Sequence, residues 1–111
     1  MERYFTVEEA NHALALVSPI VSDIVAKMNQ AKRIHEEVKT ERERAHISET
    51  ELLGKLRMAE KLLNEVEYHM KELESVGAML KDLTLGLVDF PCLHDARVVY
   101  LCWMLGEKNV S

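Results

Sequence analysis

The side chains best suited to chemistry fall between positions 81 and 102. Cys92-Leu93-His94-Asp95 sets a thiol, an imidazole and a carboxylate within one short stretch, with Asp82, Asp89 and Cys102 close by in sequence. All of these residue types bind zinc, and a structural zinc site takes about four of them. Their spacing fits no standard zinc pattern, and Cys102 stands in an apolar run that suits a buried, unreactive thiol. Turn residues and a core cysteine are therefore the expectation, with no metal and no cofactor. Cys92 and His94 would make an activated thiol only with the base within about 2.6–3.2 Å and a third group orienting it. Nothing in the sequence marks a pocket or an oxyanion hole for that chemistry.

Lys81-Asp82 and Asp89, flanking the turn Thr84-Leu85-Gly86, form a more interesting polar set. Two carboxylates at the ends of adjacent strands can hold a cation or share acid–base work. They can equally cap turns and pair with Lys81 or Arg97, which is the heavier reading. Lys81, Asp82, Asp89, His94 and Arg97 are thus the candidate ligand-binding residues, and no residue is assigned a catalytic role. Three further side chains are candidates for an interface. His35 falls on the apolar seam of the first helix, where a polar residue can fix register. Tyr100 and Trp103 lie on opposite faces of the last strand, and aromatics supply large contact area with a polar handle. Core packing is their default, and a partner would require one of them to be exposed. His69 reads as solvated or at an interface, and His12 and His46 as surface residues. Gly54 sits inside a helical pattern, and the glycines have neither Walker nor dinucleotide spacing.

Two long amphipathic helices must position these groups. Thr6 can cap a helix start, with Glu9 returning a hydrogen bond three positions on. A seam then runs through Leu14, Val17, Val21, Ile24, Met28, Ala31, His35 and Val38 at alternating spacings of three and four. Pro19 removes one amide donor and crowds the preceding turn, so a bent helix over 6–46, kinked near Pro19, is expected. Ser48-Glu49-Thr50-Glu51 is a second capping box. It opens a helix over 48–76 whose seam is Leu52, Leu56, Ala59, Leu63, Val66, Met70 and Leu73, with Gly77 as its left-handed C-cap. The short link makes the two helices antiparallel neighbours.

Residues 78–105 read as a small antiparallel β element. Its strands are Ala78–Asp82, Leu87–Phe90 ended by Pro91, and Val98–Leu105. The last strand is apolar on both faces, as in a strand covered by a helix on one side and by another layer, such as a partner chain, on the other. The fold class is therefore mostly α: a long, coiled-coil-like antiparallel helical hairpin with a small C-terminal antiparallel sheet, in a single domain spanning 1–111.

Composition excludes several classes. The chain of 111 residues has 19 acidic and 14 basic side chains, a formal net charge of -5, and both signs are mixed along its length. No basic stripe offers a nucleic-acid backbone its counter-charge. The first residues lack the run of about 7–15 apolar residues of a signal peptide, and no stretch approaches the roughly 18 of a membrane span. Two cysteines without a secretory signal read as thiols in a reducing, cytoplasmic setting. Asn109-Val110-Ser111 matches a glycosylation acceptor, which carries no weight without secretion.

With those residues placed, Gly77-Ala78-Met79-Leu80-Lys81-Asp82, Gly86-Leu87-Val88-Asp89-Phe90-Pro91 and Val99-Tyr100-Leu101-Cys102-Trp103 with Gly106-Glu107 resemble the bacterial family filed as domain of unknown function 2203. The opening Phe5-Thr6-Val7-Glu8-Glu9-Ala10-Asn11 is similar too. The resemblance implies the fold and a bacterial cytoplasmic setting. It also implies a segment with tryptophan, histidine and a closing arginine after Gly106-Glu107, and a glycine before the last strand. This chain ends at Ser111 and has Asp95-Ala96-Arg97 at the second place. The resemblance supplies no reaction, substrate or catalytic residue.

The helical stripes are wider than one seam, so apolar surface is left for the β element or a second subunit to cover. A non-enzymatic, self-associating structural or protein-interaction module is expected, as a dimer or an antiparallel four-helix closure. The alternative is a small-ligand or metal-binding protein with its site at the β end, which needs a concave pocket with converging polar groups.

Overall fold

The computed structural model describes residues 3–44 and 47–111. It comprises helix α1 (Val7–Glu43), helix α2 (Glu49–Val76) and strands β1 (Met79–Asp82), β2 (Leu87–His94) and β3 (Arg97–Met104). The strands form one open antiparallel sheet in the order β1-β2-β3. The helices run antiparallel along a molecule 60 Å long and 24 × 23 Å across, with the sheet at one end. Residues 45 and 46, which include His46 and the expected end of the first helix, lie outside the described residues.

The helix starts follow from their caps. The Thr6 side chain accepts the Glu9 N–H at 3.0 Å, and Glu9 Oε1 accepts the Thr6 N–H at 3.0 Å, which satisfies two amides that the first turn leaves orphaned. The same exchange, led by the Thr6 N–H, lowers the Glu9 pKa. Ser48 caps α2 through the Glu51 N–H at 3.2 Å. Gly77 ends α2 in the left-handed region at φ 101°. α1 is one uninterrupted helix through Pro19.

Each helix departs from its expected seam at one position. On α1 the buried residues are Ala10, Val17, Val21, Ile24, Ala31, Ile34 and Val38, and Ile34 takes the place expected for His35, which is exposed. On α2 they are Ala59, Val66 and Leu73, with half-buried Leu62 instead of Leu63. Val38 on α1 and Val66 and Leu73 on α2, which lie farther along, are buried on the expected line.

The main core lies where the helices meet the sheet. Phe5, Ala10, Val17, Val21, Leu73, Ala78, Val88, Phe90, Trp103 and Val110 form one buried cluster. Burying a large apolar side chain fully is worth about 1.5–3 kcal/mol. Phe5 meets Phe90 edge-on, with ring centroids 5.2 Å apart. Trp103 gives its Nε1–H to the Glu107 carbonyl at 2.9 Å, and the Val110 N–H is held by Asn11 Oδ1 at 2.6 Å. A smaller cluster of Ile34, Val38 and Ala59 serves the helical end.

Pro91 does not end the second strand, which continues to His94. Asp89 and Pro91 turn their main-chain groups toward the β1 side, because residues 88, 90, 92 and 94 are the ones bonded to β3. β1 reaches only as far as Asp89, where Met79 is its partner. The missing N–H of Pro91 thus faces a position with no ladder bond to make, and its carbonyl accepts the Phe5 N–H at 2.6 Å.

Candidate functional site

The sheet presents two unlike faces. On the helix side are Val88, Phe90 and Trp103, all fully buried. Strand alternation places Met79, Lys81, Leu87, Asp89, Pro91, Leu93, Val98, Tyr100, Cys102 and Met104 on the other side. The second layer expected over β3 is not supplied by the described residues. Met79, Leu93, Val98, Tyr100 and Met104 remain between 38% and 55% exposed. Trp103, by contrast, is 1% exposed. Of the two aromatic candidates, only Tyr100 stands where a partner can reach it.

The five candidate ligand-binding residues do not converge. Lys81 and Asp89 pair at 3.6 Å across the outer face. Asp82 is occupied with its own turn: Oδ1 accepts the Thr84 N–H at 2.8 Å, the Thr84 hydroxyl at 2.8 Å and the Leu85 N–H at 2.9 Å. Those bonds, the Leu85 N–H foremost, hold its carboxyl below the usual range. His94 and Arg97 sit at the far hairpin, with His94 contacting Asp95 at 3.4 Å in the open. At about 3.3 Å per residue, Asp89 and His94 are some 16 Å apart along β2. The cysteines separate as well: Cys92 pairs with Val99 on the helix side, and Cys102, expected in the core, pairs with Asp89 on the outer side and is exposed, because the strand alternation turns it away from the helices. Desolvation first, and then the Asp89 charge, push the Cys102 thiol up, which makes it a poor nucleophile. Among the described residues, no three histidine, cysteine or acidic side chains gather as a cation site.

Two features escaped the sequence. His69, read as solvated or at an interface, is tucked between the helices. Its Nδ1 lies 2.9 Å from Glu72 Oε1 and its Nε2 2.9 Å from Lys27 Nζ. A lysine ammonium can only donate, so Nε2 is the acceptor and Nδ1–H is the donor to Glu72. Lys27 also reaches Glu65 at 3.4 Å. The lysine is 42 residues from the histidine, and no local spacing announces the pair. The second feature is a half-open pocket of about 350 Å³ at the rim of the outer face, lined by Arg3, Tyr4, Glu74, Gly77, Met79 and Tyr100 among others. It depends on the N-terminal segment lying beside β2, which a reading of strands alone does not place.

β3 also has an edge of its own. Its odd-numbered residues bond to β2, so Val98, Tyr100 and Cys102 direct their main-chain groups outward. Cys102 exchanges two bonds with Ser111, at 2.8 and 3.0 Å. The outward groups of Val98 and Tyr100 have no main-chain partner among the described residues.

The family model described as Uncharacterized conserved protein (DUF2203) matches residues 3–111 of the chain. No curated protein and no solved structure matches it. Among the described residues, no helix is long and apolar enough to cross a membrane.

Proposed function

This chain belongs to the DUF2203 family, and from that premise we propose that it is a non-enzymatic protein-interaction module that self-associates through its sheet. One observation carries the reading: the outer sheet face is apolar and uncovered, with Met79, Leu93, Val98, Tyr100 and Met104 all substantially exposed. Two strands of eight residues and one of four, about 4.8 Å apart, present a face of roughly 300 Å². The largest apolar patch on a monomer is of about that size and is often functional. The charges on this face, Lys81 and Asp89, are already paired with each other, so a partner need not leave either of them unmatched.

Native mass spectrometry on the full-length chain tests the reading. A dimer or tetramer of unmodified subunits, reduced to monomer by Tyr100→Glu, is the expected result. A wild-type monomer throughout the micromolar range would contradict it.

The rim pocket favours a second reading, a small-ligand site. Arg3, Glu74, Tyr4 and Tyr100 offer one charge of each sign and two aromatic rings there, and a zwitterionic aromatic molecule is the chemistry such a set would hold. A reproducible added mass in the same spectra, lost on Arg3→Ala, would replace the first reading with this one.

A further inference from the structure

We propose that residues Arg97–Leu101 of β3 pair antiparallel with the same residues of a second copy, about a two-fold axis at Val99, joining two three-stranded sheets into one of six. The inference rests on the self-association reading and assigns it an interface.

The two edges of the sheet differ in how they are protected. The β1 edge is short, carries Lys81 and has a register irregularity between Leu80 and Asp82. Those are the devices that stop one sheet from adding to another. The β3 edge has one charge, Arg97 beside the turn, and otherwise lacks them. Val98, Val99, Tyr100 and Leu101 are uncharged, and β2 and β3 pair without a bulge.

The free length is symmetric. Among the described residues the Asp95–Ala96 turn lies at one end of it, and at the other the outward groups of Cys102 are already paired. Between them lie five residues centred on Val99, and the two with outward main-chain groups, Val98 and Tyr100, stand one on either side of it. A two-fold axis at Val99 therefore sets Val98 opposite Tyr100 of the second copy twice over. Each pairing exchanges two N–H···O=C bonds. On the outer face the same pairing sets an aromatic beside a β-branched side chain, a favourable cross-strand match. Arg97 falls opposite Leu101 and well away from its own symmetry mate. An isologous contact of this kind closes on itself instead of growing into a filament. Two outer faces then form one continuous, largely apolar platform of roughly 600 Å².

Cross-linking tests the geometry. Facing residues of a non-hydrogen-bonded pair have Cα atoms about 4.5 Å apart, within the range a disulfide spans. Val99 also faces Cys92 within its own chain, so the experiment uses the full-length chain carrying Cys92→Ala and Cys102→Ser. In that background Val99→Cys is expected to give a reducible covalent dimer under mild oxidation, whereas Arg97→Cys stays monomeric. Val98→Pro removes an outward N–H and leaves the β2 ladder whole. It should convert the wild-type dimer to monomer while the circular dichroism spectrum is unchanged. A wild-type dimer that survives Val98→Pro, with no Val99→Cys cross-link, overturns the edge pairing and leaves self-association standing through another surface, such as the helices. A wild-type monomer overturns both.

Discussion

The two faces of the sheet are built from the same strands and nearly the same residue types, yet they end differently. On the helix side Val88, Phe90 and Trp103 are sealed under α1 and α2. On the other side Val98, Tyr100 and Met104 stand in the open. The helices pack on each other and on the inner face, and Leu16, Leu53, Met58 and Tyr68 still stand exposed on them. An apolar strand face is thus no guide to its own burial within one chain. What decides burial is how many covering layers the chain can supply, and this chain supplies one.

Truncation at positions on opposite faces of β3 should separate the two faces most strongly. Trp103→Ala opens a cavity in the main core and should cost about 3–5 kcal/mol. Tyr100→Ala, three residues earlier and on the outer face, should change the unfolding free energy of the monomer by less than about 1 kcal/mol. Urea unfolding at a concentration low enough to hold the monomer checks both. Equal losses would break the distinction between core face and contact face.

Gly86 provides a second test of how tightly the inner side is closed. A Cβ built there meets Leu105 Cβ at 2.8 Å and Val21 Cγ1 at 2.9 Å, and its φ is 73°. Gly86→Ala combines overpacking with a left-handed conformation and should cost about 2–4 kcal/mol. A smaller loss in the same measurement would mean that α1 can lift from the sheet.

The hairpin joining β2 and β3 lies at the exposed end and should respond in the opposite direction. Asp95 and Ala96 both have positive φ, 48° and 62°, as a two-residue type I′ turn requires. Asparagine, aspartate and glycine suit that region and alanine does not. Ala96→Gly should therefore stabilise the chain, by about 0.5–1 kcal/mol, visible as a raised unfolding midpoint.

The smallest effect concerns acid. The Asp82 carboxyl is held below its ordinary value by the Leu85 and Thr84 donors. Its contribution is fully present above the unfolded carboxylate pKa and is lost as the pH falls through the lower folded value. Asp82→Asn keeps the acceptor and removes the titration. Thermal unfolding from neutral to acid pH should show wild type losing stability relative to the variant only at the acid end. Parallel curves would show that the turn draws nothing from the charge.

Much of this fold is written locally in the sequence. The Thr6–Glu9 and Ser48–Glu51 caps, the Gly77 stop and the hairpin of two helices need only neighbours three or four residues apart. His35 misled because Ile34 beside it belongs to the same broad stripe, and spacing alone did not choose which of the two turns inward. Pro91 misled because its place in a strand depends on where β1 stops, which Pro91 itself does not encode. The candidate polar set failed for a similar reason: Asp82, Asp89 and His94 are near in sequence, but an extended strand carries them apart. The Lys27–His69–Glu72 contact and the rim pocket depend on pairings between distant segments and left no local signal. The apolar character of both β3 faces was legible. That the second face lacks a cover became visible only once every other element had been placed.

Hydrogen exchange at the main-chain amides of Val98 and Tyr100, followed on the full-length chain from low to high micromolar concentration, tests the central claim most directly. Both amides point away from β2, so nothing within the described subunit protects them. Protection that grows with concentration, while the Leu101 and Trp103 amides stay protected throughout, is the predicted result. Rapid exchange at Val98 and Tyr100 at every concentration would contradict the claim that this edge is an interface.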